Sequence, residues 1–212
     1  VNPANDYRVN PYLNLQNLYR VRTTKNINTN AYLEYLILPE LKLRVSNGII
    51  ENRVESGLFN NSLTQYGYPG SVNGINGSIQ YSQYSNWLNE NTLTWNKKFN
   101  KKHTINAVGG FTIQKQKSKN YGVSANQIPA DKEYLGLDGL QYGTQLRVDT
   151  FESLWTMASF LARVNYNYAS KYYFTASMRA DGSSKFPTDN HWGYFPSAAL
   201  SWTFKNEKFF ES

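Results

Sequence analysis

The residues able to do chemistry are few and scattered. The chain has 212 residues, two histidines and no cysteine, which removes disulfides and cysteine-based zinc sites. Asp181-Gly182-Ser183-Ser184 has the oxygen-rich look of a cation loop. A calcium loop, however, wants acidic or amide side chains at its first, third and fifth positions, and this spacing does not supply them. Asp, Gly and Ser together already make a turn without any ligand. Glu133 and Asp138 share one long loop, so a carboxylate pair of the kind used in glycoside hydrolysis is compatible with the sequence, with no second feature pointing to it. His103 and His191 would need to converge to form a metal or catalytic pair. Whether they can depends on the elements that carry them.

Those elements are strands. Helical periodicity is nearly absent and two-residue alternation predominates. It predicts seven strands, at about Thr23 to Leu38, Leu41 to Leu58, Ser78 to Phe99, His103 to Lys117, Phe151 to Ala169, Tyr172 to Gly182 and His191 to Phe204. Tight turns at Pro39-Glu40, Asn100 to Lys102 and Ser170-Lys171 alternate with long connections at about Phe59 to Gly77, Ser118 to Thr150 and Ser183 to Asn190. In an antiparallel up-and-down sheet this puts short turns at one end and long loops at the other, the arrangement of a transmembrane β-barrel. His103 then lies at a short turn and His191 beside a long loop, at opposite ends. No joint metal site forms, and no Ser-His-Asp set passes the same test.

The two faces differ in chemistry. One carries Ile105, Phe111, Phe160, Val164, Phe174, Met178, Ala198 and Leu200. The other carries Lys42, Arg44, Arg163, Asn165, Arg179 and Asp181, which predicts a lumen. Alternation alone also suits a half-buried soluble sheet. The aromatics separate the cases. Trp95, Phe99, Tyr166, Tyr168, Tyr172, Trp202 and Phe204 sit beside the short turns, and Trp192 and Tyr194 at the far end of the last strand. Rings at two levels with small and aliphatic residues between them describe the interfacial girdles of a barrel in lipid. A soluble core would concentrate its rings at mid-strand. Strands longer than the 9–11 residues that cross a membrane predict projection beyond the outer leaflet, with Asn89 and Asn91 above the lipid.

The net charge of +7 permits nucleic-acid binding, but the basic residues are dispersed. The tightest group, Lys97, Lys98, Lys101, Lys102 and His103, surrounds a hairpin tip, which reads as a solvated turn. No cofactor and no nucleic-acid partner is expected. No apolar run reaches membrane-helix length. The polar opening VNPANDYRVNPYLNLQ has no secretory leader, so export would require one ahead of this chain.

Several stretches resemble one family. RADGSSKF (Arg179 to Phe186), HWGYFPSAALSWTF (His191 to Phe204) and NEKFF (Asn206 to Phe210) are similar to SusC/RagA-type TonB-linked outer-membrane proteins. So are ARVNYNYASKYYFTASMRADGSS before them, the hairpin from Asn86 to Phe111, and AYLEYLILPELKLRVSNG (Ala31 to Gly48). Lys185 stands where the family commonly has Arg, and Pro187 where a Gly or polar residue is usual. The resemblance implies an all-β fold, an antiparallel up-and-down transmembrane barrel of 22 strands closed by an N-terminal plug. This chain would be an internal section of the barrel domain, without the plug and without the terminal aromatic that many barrels carry, since it ends FFES. Implied partners are the lipid bilayer, a SusD-like lipoprotein lid, TonB acting through the absent plug, and an oligosaccharide or peptide substrate. The implied function is TonB-dependent nutrient import in the outer membrane, with no catalysis. The lumen cations then have two readings, solvation of a wet wall with pairing to plug carboxylates, or guidance of substrate. Asp181, Gly182, Ser183, Ser184 and Phe186 form the family's motif loop, read here as an outward turn. Tyr66, Tyr68, Tyr81, Tyr84 and Trp87 flank the first long loop and either pack it or offer rings to sugars or a lid. A soluble carbohydrate-binding β-module and a small passive pore are the alternatives.

Overall fold

Asn100 and Lys101 take positive φ at one hairpin tip, and Ala169 and Ser170 at another. Left-handed residues of this kind match the twist of paired strands and close tight hairpins. The structure, a computed structural model, describes residues 10–207 apart from 188. Seven strands pair in sequence order in a single sheet. They are β1 (Leu18–Leu38), β2 (Leu41–Asn60), β3 (Asn76–Phe99), β4 (His103–Asn126), β5 (Gln145–Tyr168), β6 (Tyr172–Ser183) and β7 (Trp192–Trp202). Short and long connections alternate as expected. The chain divides into two compact units, Val1–Ile27 with Glu51–Ser85 and Lys117–Ser153, and Asn28–Ile50 with Asn86–Gln116 and Leu154–Ser212.

The first unit contains features that alternation did not reveal. A short helix α1 (Pro11–Asn17) starts with Asn10 accepting from the Tyr12 N–H at 2.9 Å and Pro11 at its first turn, where proline's missing donor has no cost. β4 and β5 run well past their expected ends at Lys117 and Phe151. The extension keeps a short alternation, with Tyr121, Val123, Leu146 and Val148 on one face against Asn120, Gly122, Arg147 and Asp149 on the other, and cross-strand ion pairs at its base support it. Glu152 meets Lys117 at 2.5 Å and Lys119 at 3.5 Å. The long connections fold on each other: Ile128 N–H donates to the Ile75 carbonyl at 2.9 Å and Gln127 N–H to Asn73 at 2.8 Å. Their apolar core is Phe59, Ile75, Ala125, Ile128 and Leu140, with Leu137 packed against it. Leu137 and Leu140 come from a 3-10 segment, Ala130–Tyr142, bent at Gly136 with φ 58°. Thr64 is fully buried; its hydroxyl donates to the Asn61 carbonyl and accepts from the Gly67 N–H. A Cβ on Gly67 would stand 2.2 Å from that same carbonyl, so the turn excludes every other residue.

The second unit holds the tight turns and the register that sorts the faces. Tyr166, Val164, Ala162 and Phe160 oppose Phe174, Ala176, Met178 and Ala180, which oppose Leu200, Ala198, Pro196 and Tyr194. On the other face Asn165, Arg163, Leu161 and Ser159 oppose Thr175, Ser177, Arg179 and Asp181. Two boundaries differ from expectation. Phe204 lies beyond β7, in a short 3-10 turn (Phe204–Asn206), because the chain turns after Trp202 to reach the β5–β6 hairpin. β6 ends at Ser183, one residue past the expected Gly182, so Asp181, Gly182 and Ser183 of the motif stretch are all strand residues. Gly182 still pairs with Trp192 and Ser183 with Met157, so only about half of the motif turns. The end of NEKFF and the terminal FFES lie outside the described residues.

Candidate functional site

Strand alternation gives the second unit one continuous apolar face with rings at its two ends. At the tight-turn end Tyr168 stacks on Tyr172 (centroids 6.3 Å), Tyr172 on Trp202 (6.2 Å), and Trp202 meets Phe204 edge-on (4.7 Å). Trp95 lies edge-on to Phe99 at 6.3 Å. His103 belongs to this level too. Its Nδ1 is 2.6 Å from the Tyr166 hydroxyl and its ring 4.9 Å from that of Tyr168. Sequence reasoning set His103 aside as a lone turn histidine, although its strand parity matches Ile105 and Phe111. At the other end Phe111, Phe160 and Trp192 form a chain at 4.8 and 5.9 Å, and Tyr194 opposes Ala180. Between the levels lie Val164, Ala176, Ala198, Met178 and Leu200. The 11 residues of β7 make ten rises of about 3.3 Å. At a tilt near 40° the end tryptophans stand about 25 Å apart along the normal, the height of a barrel's apolar band.

The DGSS stretch seats one of these rings. A Cβ on Gly182 would lie 2.9 Å from the Trp192 indole, so the glycine is what lets the ring lie flat on β6. Ser184 then ties the turn down: its N–H donates to the Thr156 carbonyl at 3.0 Å and its hydroxyl accepts from the Thr156 N–H at 2.9 Å. Ser183 stabilises the turn from within, accepting from the Lys185 N–H on its hydroxyl and from the Phe186 N–H on its carbonyl, both at 3.2 Å. Lys185 sits 4.8 Å above the Trp155 ring. The side chains of Asp181, Ser183, Ser184 and Lys185 are each engaged locally.

The second face is polar and internally paired. Lys42 and Arg44 both reach Glu34, at 3.1 and 3.7 Å, and Arg44 covers the Tyr32 ring at 4.1 Å. Arg179 grips Asp181 at 2.7 and 2.9 Å. Asn165 is the centre of a ladder that no residue pattern announced. It donates to Asn106 and accepts from Thr175, while Asn106 donates to Asn96. The predicted lumen residues thus share one face but do not converge on a single centre. Arg163 opposes Ser177 in the same face.

Beyond β7 the Glu207 carboxylate accepts from Lys171 Nζ (2.9 Å), the Tyr172 hydroxyl (2.8 Å) and Trp202 Nε1 (3.2 Å). Thr203 N–H donates to the Lys171 carbonyl at 2.8 Å and Asn206 Nδ2 to Ser170 at 2.9 Å. The Lys171 ammonium foremost, then the phenol and indole donors, hold the Glu207 carboxyl down to about 2. Glu40, in a tight turn, is likewise lowered by Lys97. The Glu207 clasp was invisible in the sequence, since it joins side chains 35 and 36 residues apart.

No family model matches the chain. It is 29% identical over 210 residues to a TonB-dependent receptor of Formosa agariphila, covering 99% of this chain and 20% of that protein. A second receptor of that organism is 33% identical over 141 residues, 66% of this chain and 14% of its own length. The receptor SusC of Bacteroides thetaiotaomicron is 52% identical over 54 residues, 26% of this chain and 5% of its own. The solved RagAB peptide transporter superposes with a TM-score of 0.77 at 19% identity, over 93% of this chain and 22% of that one; at that identity the likeness speaks for the fold. The chain spans about a fifth of the length of the first of these relatives.

Proposed function

Because the chain belongs to the TonB-dependent receptors, among those of SusC/RagA type, we propose that it forms a section of an outer-membrane barrel wall in a nutrient importer. The apolar face meets lipid. The polar face lines the lumen. The wall performs no chemistry; energy comes from TonB acting on a plug domain, and a SusD-like lipoprotein covers the outer mouth. The cargo is an oligosaccharide or a peptide. SusC relatives and the RagAB peptide transporter support this pair of classes. The observation that carries the reading is the apolar face bounded by Tyr168, Tyr172 and Trp202 at one end and Trp192 at the other, ends of one strand that spans the apolar band if tilted as barrel strands are. A soluble module would have to leave this face in water, a patch far larger than monomers tolerate. Three of the four lumen cations have a carboxylate partner, Lys42 and Arg44 sharing Glu34 and Arg179 meeting Asp181, which supports a largely paired wet wall over an open cationic substrate track.

Fractionation tests the reading. The receptor that carries this chain should partition with the outer membrane, resist carbonate extraction and require detergent to dissolve. Deleting it should abolish growth on its cargo and spare growth on monosaccharides or free amino acids. Recovery of the protein as a monomer in buffer without detergent would overturn the proposal and favour a soluble binding module.

A further inference from the structure

We propose that the β3–β4 hairpin tip, Asn100-Lys101-Lys102, holds the headgroup of an anionic phospholipid in the leaflet at the tight-turn end, with Lys205 extending the site along the rim. The inference rests on the importer reading above, which puts lipid against the apolar face. Among the described residues this end of the second unit carries Lys97, Lys98, Lys101, Lys102, Lys171 and Lys205 against Glu40 and Glu207, six cations and two anions. Both anions are taken. Lys97 meets Glu40 at 2.5 Å and Lys171 meets Glu207 at 2.9 Å. Lys98 has the strand parity of Asn96, which bonds Asn106 on the polar face, and belongs to the lumen side. Lys101, Lys102 and Lys205 remain. All three are exposed, and none has an ion-pair partner among the described residues.

A neighbouring hairpin of the same kind shows what sets this tip apart. Asn100 and Lys101 have positive φ, as do Ala169 and Ser170. Each turn closes with one bond, Lys102 N–H to the Phe99 carbonyl at 3.2 Å and Lys171 N–H to the Tyr168 carbonyl at 2.9 Å. At the β5–β6 tip the other N–H groups are used. Ala169 donates to the Lys102 carbonyl at 2.6 Å and Ser170 to Asn167 Oδ1 at 2.9 Å. At the β3–β4 tip the N–H groups of Asn100 and Lys101 find no acceptor among the described residues. Two N–H donors and two ammonium groups on one turn match a phosphodiester, which carries a full charge and only accepts. The Ala169–Lys102 bond joins the two tips. Asn206 Nδ2 donates to the Ser170 carbonyl at 2.9 Å, which brings the segment bearing Lys205 alongside. β3 and β4 have β2 and β5 on either side, so the tip's neighbours along the rim belong to this chain.

The lysines are interleaved with rings. Phe99 precedes the tip and Phe204 precedes Lys205, and both rings are exposed. Phe99 lies edge-on to Trp95 and Phe204 to Trp202, at the level where a barrel meets the membrane interface. A lysine stem can run along such a ring and place its ammonium beyond it. Inorganic phosphate or an acidic peptide would use the lysines and leave the rings in water. An anionic phospholipid joins a phosphate to acyl chains and covers both.

The test places a reporter on the neighbouring tip. The intact receptor, with Ser170→Cys as its only labelled cysteine, carries a bimane there and is reconstituted in nanodiscs of phosphatidylcholine. A small fraction of doxyl-labelled phosphatidylglycerol or doxyl-labelled phosphatidylcholine supplies the quencher. Phosphatidylglycerol should quench more than phosphatidylcholine at equal content. Lys101→Gln and Lys102→Gln should each lower that preference by up to about fivefold, and Lys98→Gln should leave it unchanged. Equal quenching by the two lipids overturns the inference, as does a preference that survives the double substitution or is lost as much in Lys98→Gln. A preference abolished by inorganic phosphate in solution also overturns it, since the site would then take a soluble anion. Each of these results leaves the importer reading intact, because quenching by phosphatidylcholine still places the rim in lipid. A label that neither lipid quenches overturns the inference and leaves the lysines to a soluble acidic partner. A receptor that stays in buffer and enters no nanodisc refutes both proposals.

Discussion

Ala198 and Ala199 are neighbours in β7 with opposite surroundings. Ala198 opposes Ala176 in the apolar row that continues to Val164, whereas Ala199 opposes Thr175, which bonds Asn165. Replacing each by arginine in the intact receptor introduces one side chain at one depth on two faces. Ala198 is four residues above Trp202, about 10 Å into a band about 25 Å tall. An arginine on the lipid face near mid-membrane costs about 2–4 kcal/mol, a factor of roughly 30 to 700 in the folding equilibrium. Ala199→Arg points at a wet wall and should cost under about 0.5 kcal/mol, as an ordinary surface change does. The assay is a reversible urea titration of the receptor refolded into phospholipid vesicles, followed by the gel shift between folded and unfolded barrel. Equal costs for the two variants, or a larger cost for Ala199→Arg, would refute the assignment of faces.

Other outcomes follow from particular contacts. Leu140→Ala should cost about 2–5 kcal/mol within the first unit, because Leu140 closes the core made with Phe59, Ile75 and Ile128; limited proteolysis should then cut near residues 61–75 and 127–144 while the strands of the second unit stay protected. Gly182→Ala should displace the Trp192 ring, since the new Cβ would stand 2.9 Å from it; the near-ultraviolet circular dichroism of Trp192 should fall, at a stability cost of about 1–3 kcal/mol. The Glu207 clasp should respond to acid. A carboxyl held down to about 2 from its ordinary 4.5 contributes fully above the ordinary value, and that contribution is lost as pH falls through about 4.5 towards 2. Trp202 emission should therefore change across that range, and Glu207→Gln should remove the step.

The register explains why the family motif and the girdle are one feature. DGSS supplies the only residue thin enough to lie beneath Trp192 and a serine that fastens the turn to β5. A substitution at Gly182 is therefore a change to the apolar face, although position 182 stands just before the motif turns. The Glu207 clasp does the corresponding work at the other level, where one carboxylate holds Tyr172, Trp202 and Lys171 together. The two aromatic levels are fixed by unlike means, steric fit at one and charge-assisted hydrogen bonds at the other.

Strand number, turn positions and the division into two faces were legible in the residues alone, because an antiparallel strand writes its surroundings into a period of two. The places of Trp192, Tyr172 and Trp202 at the two ends of one strand face were equally legible, since parity and distance from the turns locate a residue without reference to partners. What lay beyond the alternation needed tertiary structure. β4 and β5 continue past Lys117 and Phe151, held by charge pairs such as Lys117 with Glu152, through an alternation too short to stand out from the connection between them. The core of Phe59, Ile75, Ile128 and Leu140 brings together residues from distant connections and strands. Such sites depend on which segments meet, and a one-dimensional pattern carries the chemistry of each position but not its neighbours across the sheet.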